Sequence, residues 1–234
     1  MLIIVPARRG SKGIPGKNTK PFRGFALIEW SLSAALFLAD ALKARVVCST
    51  DDPGIKSLVQ QRYAGRVTLH ERAEDLANDT AGMAEVVLDV CAALHATRYV
   101  LLQPTSPLRL LSDLRALARA SQHHDTAVSC SRPYEHPEDL IILDGPHGHP
   151  AISADKTNRR QDRKTQYRFV DGAYYAGTVQ TLRDTGSFLP KEAHFHTLGV
   201  PAGVDIDTPF DWAMAEAQHD WLQNEGYEFV RPTR

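Results

Sequence analysis

Cysteine is scarce in this chain and poorly placed for bonding. Cys48, Cys91 and Cys130 are odd in number and far apart, which argues against a disulfide framework or a zinc cluster. Cys48 and Cys130 fall in strand-like runs and read as core. No apolar stretch is long enough to cross a bilayer. The first apolar run has no basic leader before it, so a secretory signal is not expected and a reducing cytoplasm is. Net charge is nearly absent too, at a formal −1, so no broad basic field points to nucleic acid. No internal repeat or low-complexity tract appears, and no Ser–His–Asp or Cys–His order is evident. What remains is 234 residues, 43% of them hydrophobic, enough for one large α/β domain over 1–234.

Positive charge is local: in the first loop, and again at Arg159, Arg160, Arg163, Lys164 and Arg168. The apolar run Leu2–Val5, with Ile3, Ile4 and Val5, suits a buried strand. The loop after it holds Gly10, Gly13 and Gly16 together with Arg8, Arg9, Lys12 and Lys17. Glycines let backbone approach a ligand, and the cations suit an anion rich in phosphate. Two familiar phosphate loops do not fit. A Walker loop needs Gly six residues before its Lys, where Ser11 stands, and Ser or Thr after it, where Asn18 stands. The glycines are spaced G-x-x-G-x-x-G, unlike the dinucleotide fingerprint.

Strand-like and helix-like segments alternate through the first half. Helical patterns cover Ala26–Leu42, Pro53–Tyr63, Thr80–Ala96 (capped by Asp79 or Thr80) and Leu111–Gln122, with Ser112 or Asp113 near its start. Strands are expected at Arg45–Thr50, Val67–His70, Tyr99–Leu102 and Thr126–Cys130. This rhythm predicts an α/β fold with a mostly parallel sheet covered on both faces, and ligands at the carboxyl ends of its strands. The loops after Val5, Thr50 and Leu102 fall there together. The rhythm breaks near residue 131, and about 131–168 reads as an insertion rich in Pro, His, Gly and charge. Core-like segments resume at Tyr167–Gly177, and a last helix starts near Pro209.

Asp205 and Asp207 form an Asp-Ile-Asp triplet. In extended backbone both carboxylates point to one face, where they suit a hard divalent cation such as Mg2+ that also bridges phosphate oxygens. The competing reading is a helix cap from Asp207 or Thr208 ahead of Pro209. A basic loop with a carboxylate pair is the equipment of nucleotidyl transfer. His147/His149 and His194/His196 alternate but have no third ligand at metal-site spacing, and read as polar-loop histidines.

Six segments carry a resemblance. They are Pro6-Ala-Arg-Arg-Gly-Ser-Lys-Gly-Ile-Pro-Gly-Lys-Asn18, Ser49-Thr-Asp51, Arg72-Ala-Glu-Asp-Leu-Ala-Asn-Asp-Thr80, Leu101-Leu-Gln-Pro-Thr-Ser-Pro-Leu-Arg109, Asp171-Gly-Ala-Tyr-Tyr175 and Asp205-Ile-Asp-Thr208. In that order they resemble the cytidylyltransferases that activate nonulosonic acids, the CMP-sialic acid synthetase family, over nearly the whole chain. The resemblance implies a three-layer α/β/α fold with a Rossmann-like sheet and a homodimer built on the 131–168 excursion.

It also implies roles. Arg8, Ser11, Lys12 and Lys17 hold the CTP phosphates, and Asn18 and Arg72 sit near the cytosine. Gln103 contacts the sugar acid, and Arg160, Gln161 and Tyr175 help form its pocket. Asp205 and Asp207 bind Mg2+, and Asp207 helps deprotonate the anomeric hydroxyl, whose oxygen attacks the α-phosphorus as pyrophosphate leaves. Arg8 and Lys17 join the aspartates as catalytic candidates. The substrates implied are CTP and a sialic-, legionaminic- or pseudaminic-type acid. A Kdo-type cytidylyltransferase and a non-catalytic nucleotide-binding module are the alternatives. Asp171 stands where the family pattern has Asn, a negative charge that a cation must offset near an acidic substrate. Asp162-Arg163-Lys164 departs from a common Leu-Pro, so the departures gather where the acid is read.

Overall fold

The computed structural model describes residues 1–11, 13–78, 81–152, 165–199 and 203–233. β1 (Leu2–Pro6) leads to a two-strand ribbon, β2 (Pro21–Phe22) and β3 (Phe25–Ala26), and then to α1 (Leu27–Leu42). There follow β4 (Arg45–Thr50), α2 (Pro53–Arg62), β5 (Val67–Glu71), α3 (Met83–Ala93), β6 (Arg98–Leu101), α4 (Leu111–His123) and β7 (Thr126–Ser131). A hairpin of β8 (Ile141–Asp144) and β9 (His147–Pro150) comes next. The chain closes with β10 (Phe169–Thr178), α5 (Val179–Thr185), β11 (His194–Thr197) and α6 (Pro209–Asn224).

The main sheet has the order β11-β7-β10-β6-β1-β4-β5. Only β10 runs antiparallel to its neighbours; the other pairs are parallel. β1 is buried along its whole length, as a strand covered on both faces must be. Ile3 and Val5 face one helical layer with residues of α1, α2 and α4. Leu2 and Ile4 face the other, with Val87, Val90 and Cys91 of α3 and Val179 and Leu182 of α5. The expected three-layer α/β/α architecture is therefore observed. Cys48, Cys91 and Cys130 are all free and buried, and burial pushes the Cys91 thiol up to about 11.

The chain builds outward from β1 through β4 to β5 and then returns to place β6 on the other side of β1. That reversal opens a crevice at the carboxyl ends of β1 and β6, where ligands of open α/β sheets sit. A third apolar cluster closes one side of it. Phe22 packs edge-on against Trp30 at 5.4 Å and Trp212 at 5.6 Å, and Ile14 and Ile206 join the same cluster. The loop after β1 and the segment before α6 are thus anchored in one apolar body.

Several local expectations change. Asp79 and Thr80 lie outside the described residues, and α3 starts at Met83 with Gly82 as its N-cap, the Gly82 N–H donating to Glu85. Ser112 and Asp113 lie in the first turn of α4, as expected, and the helix begins after Leu110 without a side-chain cap. Asp113 instead accepts the Gly199 N–H at 3.0 Å and faces His196 Nε2 at 3.0 Å. The alternating histidines are not in loops: His147 and His149 lie in β9, and His194 and His196 in β11. His194 stacks on His124 with ring centroids 4.2 Å apart, which accounts for it without a metal. Strand β10 also carries a register shift between Val170 and Tyr175, with Gly172 inside it at φ 75°, a backbone that suits glycine.

Behind the crevice Arg109 is 4% exposed. Its guanidinium donates to the carbonyls of Gln103 and Ala173 and to the Ser31 hydroxyl. Burial pulls its pKa down and the charge of Asp171 holds it up. Replacing Arg109 with Met leaves those acceptors unpaired and Asp171 without its compensating charge. We expect a loss of about 3–5 kcal/mol, read from urea unfolding midpoints against the unmodified protein.

Candidate active site

A cleft of about 480 Å3 lies at the reversal point, lined by the loops after β1, β5 and β6 and by the start of α6. Of the residues singled out from the sequence, Arg8, Ser11, Lys17, Asn18, Arg72, Gln103 and Asp207 line it. Lys12, Arg160 and Gln161 lie outside the described residues. Asp205 and Tyr175 stand off the lining itself. Tyr175 is half-buried, its ring packing against Phe188 at 5.1 Å, and burial, with Asp171 and Asp205 nearby, raises its hydroxyl pKa.

The aspartate segment is fixed by the residue between its carboxylates. Ile206 is fully buried in the aromatic cluster, so Asp205 and Asp207 on either side face outward. The Ile206 N–H donates to the Thr105 carbonyl at 2.8 Å. Its own carbonyl accepts from Lys17 Nζ at 2.6 Å, and Lys17 Nζ also donates to Asp207 Oδ1 at 2.8 Å. Capping falls to Thr208: its hydroxyl accepts the Asp211 N–H, while Asp211 accepts from the Asp207 and Thr208 N–H groups. This reciprocal capping box leaves the Asp207 carboxylate outside the cap. Asp205 is exposed as a residue, yet its carboxyl stands among protein atoms. That desolvation, reinforced by Asp207, raises its pKa, while Thr105 and Lys17 oppose the shift.

The opposite wall is cationic. Arg72 is buried, and its guanidinium donates to the Ser49 carbonyl at 3.0 Å. Burial lowers its pKa; Asp51 counters that shift, and Arg8 adds to it. Deeper in, Asp171 is buried, accepting from the Ser129 hydroxyl and the Ala173 N–H. Its Oδ2 is buried with no hydrogen-bond partner among the described residues. Burial raises its pKa while Arg109 opposes the rise, so the cation needed beside this aspartate is present. Among the described residues no three His, Cys, Asp or Glu side chains gather as metal ligands.

Residues 2–146 match the family described as cytidylyltransferase. The chain belongs to the cytidylyltransferase family. Among curated relatives, the CMP-N,N'-diacetyllegionaminic acid synthase of Legionella pneumophila is 30% identical over 92% of this chain and 94% of its own length. The N-acylneuraminate cytidylyltransferase of Streptococcus agalactiae serotype V is 28% identical over 97% of this chain. This chain spans only 57% of that relative's length. A solved CMP:2-keto-3-deoxy-manno-octonic acid synthetase complexed with CTP superposes with a TM-score of 0.66 over 94% of this chain and 98% of its own, at 19% identity. That last likeness is one of fold.

Three features of this cytidylyltransferase chain escaped sequence reasoning. Asp51 Oδ1 accepts the Arg9 N–H at 2.7 Å and so fixes the entry of the first loop; its place at a strand end was the available signal. Thr105 holds Ile206 through its carbonyl, which any residue supplies, and bonds Asp205 through its side chain, a pairing across the chain that no local pattern marks. Gly13 is needed for close approach: a Cβ built there would lie 2.0 Å from the Asp207 carbonyl oxygen. Gly13→Ala must therefore push the first loop off the aspartate segment, at about 3 kcal/mol or more in chemical denaturation. Gly10→Ala meets nothing within 4 Å and carries only the left-handed backbone at φ 82°, about 1–2 kcal/mol. Equal costs for the two variants would show that loop and aspartate segment do not bear on each other.

Proposed function

We propose that this chain is a CTP:nonulosonic acid cytidylyltransferase, joining CMP to the anomeric hydroxyl of a sialic-acid-like nine-carbon sugar acid with release of pyrophosphate. The observation that carries the reading is the cleft itself, where a cation-lined loop after β1 faces the Asp-Ile-Asp segment across the sheet's reversal point. Two relatives named for N-acylneuraminate and diacetyllegionaminic acid support the substrate class.

In this reading Arg8, Ser11, Lys12 and Lys17 neutralise and orient the triphosphate, and Asn18 and Arg72 sit toward the base. Gln103 contacts the sugar acid, and Arg160, Gln161 and Tyr175 help to bind it. Two outward carboxylates on one face, one with a pKa raised partly by the other, fit a divalent cation. Mg2+ takes one or two carboxylates, with phosphate oxygens and water completing its shell, so the pair suffices. When bound, the metal supplies charge neutralisation at the α-phosphate and the departing pyrophosphate. Asp207 takes up the proton of the anomeric hydroxyl; that oxygen forms the new bond to the α-phosphorus, and the bond to the bridging oxygen of pyrophosphate breaks.

The insertion supports a homodimer. Ile141, Ile142 and Leu143 of the hairpin are each at least half exposed, with Phe169 similar, an apolar surface that suits a second copy. Three buried free thiols and no disulfide agree with a reducing cytoplasm. Among the described residues no helix is long and apolar enough to cross a membrane.

Purified protein with CTP, Mg2+ and a panel of sialic, legionaminic, pseudaminic and Kdo acids should release pyrophosphate with at least one nonulosonic acid. Turnover with Kdo alone would favour the Kdo-type alternative, and silence across the panel would sink the enzyme reading. Asp207→Ala should lower kcat by about 100-fold or more with a much smaller change in CTP affinity; a parallel loss of both contradicts the role given to its carboxylate. Light scattering should return twice the monomer mass, falling to the monomer when Ile141 and Leu143 are both replaced by Asp.

A further inference from the structure

The Lys17 ammonium does two things at once that bear on how the site is loaded. Lys17 is 8% exposed, so little water reaches its charge, and it depends on protein acceptors. Those acceptors are the Ile206 carbonyl and Asp207 Oδ1, at 2.6 and 2.8 Å. Asp207, by contrast, keeps 69% of its side chain exposed, so water solvates its charge. The pair is therefore asymmetric: Lys17 needs Asp207 more than Asp207 needs Lys17. An ammonium held at contact distance from a carboxylate repels a dication approaching the same carboxylate. Lys17 also lines the cleft beside Arg8 and Ser11, so a triphosphate entering there offers its ammonium a stronger anionic partner.

We propose that Lys17 is the counter-ion of Asp207 until a triphosphate arrives, and that the ammonium then changes partner and yields Asp207 to a divalent metal. Metal and nucleotide consequently enter together, and metal binds poorly ahead of nucleotide. The inference rests on the reading of Asp205 and Asp207 as metal ligands. It makes Lys17 a positioning residue that controls the order of loading, in addition to a phosphate contact.

Mn2+ is the probe, titrated without nucleotide and followed by the free-ion paramagnetic resonance signal. Lys17→Gln should bind Mn2+ about tenfold more tightly than the unmodified protein, a coupling of ordinary size. Lys17→Arg, which keeps the charge, should stay as weak as the unmodified protein. Adding Asp207→Asn to Lys17→Gln should remove the gain. The proposal fails if the unmodified protein binds Mn2+ as tightly as Lys17→Gln, if Lys17→Arg gains like Lys17→Gln, or if the gain survives loss of Asp207. Thermal unfolding checks that each variant is folded. Should Lys17→Gln not fold, the unmodified protein still decides: its Lys17 Nζ resonance should move on adding Mg2+ with CTP and stay in place on Mg2+ alone. A shift with Mg2+ alone overturns the proposal. Calorimetry with CTP separates the two levels, since absence of CTP binding strikes the proposed function while the Mn2+ comparison still reports on the lysine.

Discussion

Ile206 is the residue on which the site depends. Its side chain is sunk in the aromatic cluster, its N–H is taken by Thr105, and its carbonyl is taken by Lys17. With side chain and both backbone groups fixed, the segment cannot rotate, and the alternation of extended backbone turns both flanking carboxylates away from the apolar cluster, with Asp207 on the cleft lining. The same contacts join three distant parts of the chain: the loop after β1, the loop after β6 and the lead into α6. Gly13, lying against the Asp207 carbonyl, allows the first of these to come close enough.

Charge in this protein is organised by depth. A formal charge of −1 hides a local arrangement of buried cations against half-open carboxylates. Lys17 and Arg72 are buried at the cleft and Arg109 behind it. Each donates to backbone carbonyls as well as facing an acid, so its desolvation is offset by hydrogen bonds in addition to charge. Of the two acids, Asp207 keeps most of its side chain exposed, while the Asp205 carboxyl is partly desolvated among protein atoms. A site so built is rigid in its cations and accessible at Asp207, which suits an anionic ligand.

Much of the fold was readable because burial on both faces leaves an unmistakable pattern. Leu2–Val5, Arg45–Thr50 after its first residue, and Thr126–Cys130 are apolar or small, and each became a parallel strand. Pro53 and Pro209 marked helix starts because proline suits the first helical turn. The second half was harder. Strands β8 and β9 are exposed on every residue, so no apolar alternation announces them. Strand β11 pairs only along one edge, and its histidines read as loop. The antiparallel entry of β10 between β6 and β7 depends on which edge of the sheet remained free when the chain returned, a fact held in no single segment.

The sequence by itself determined the α/β rhythm, the loop that suits phosphate, the carboxylate pair and a cap at Asp207 or Thr208, because each is written in neighbouring residues through periodicity or short-range hydrogen bonding; that Thr208 is the cap came from the structure. It also raised the question of Asp171 without answering it. Only the tertiary structure decided that Arg109 compensates Asp171, that Asp51 fixes the first loop, and that Lys17 reaches Asp207. Those pairings join residues far apart in the chain, by hydrogen bonds for Asp51 and Lys17 and by charge for Arg109, and side-chain identity alone does not state which distant partner a charge will meet.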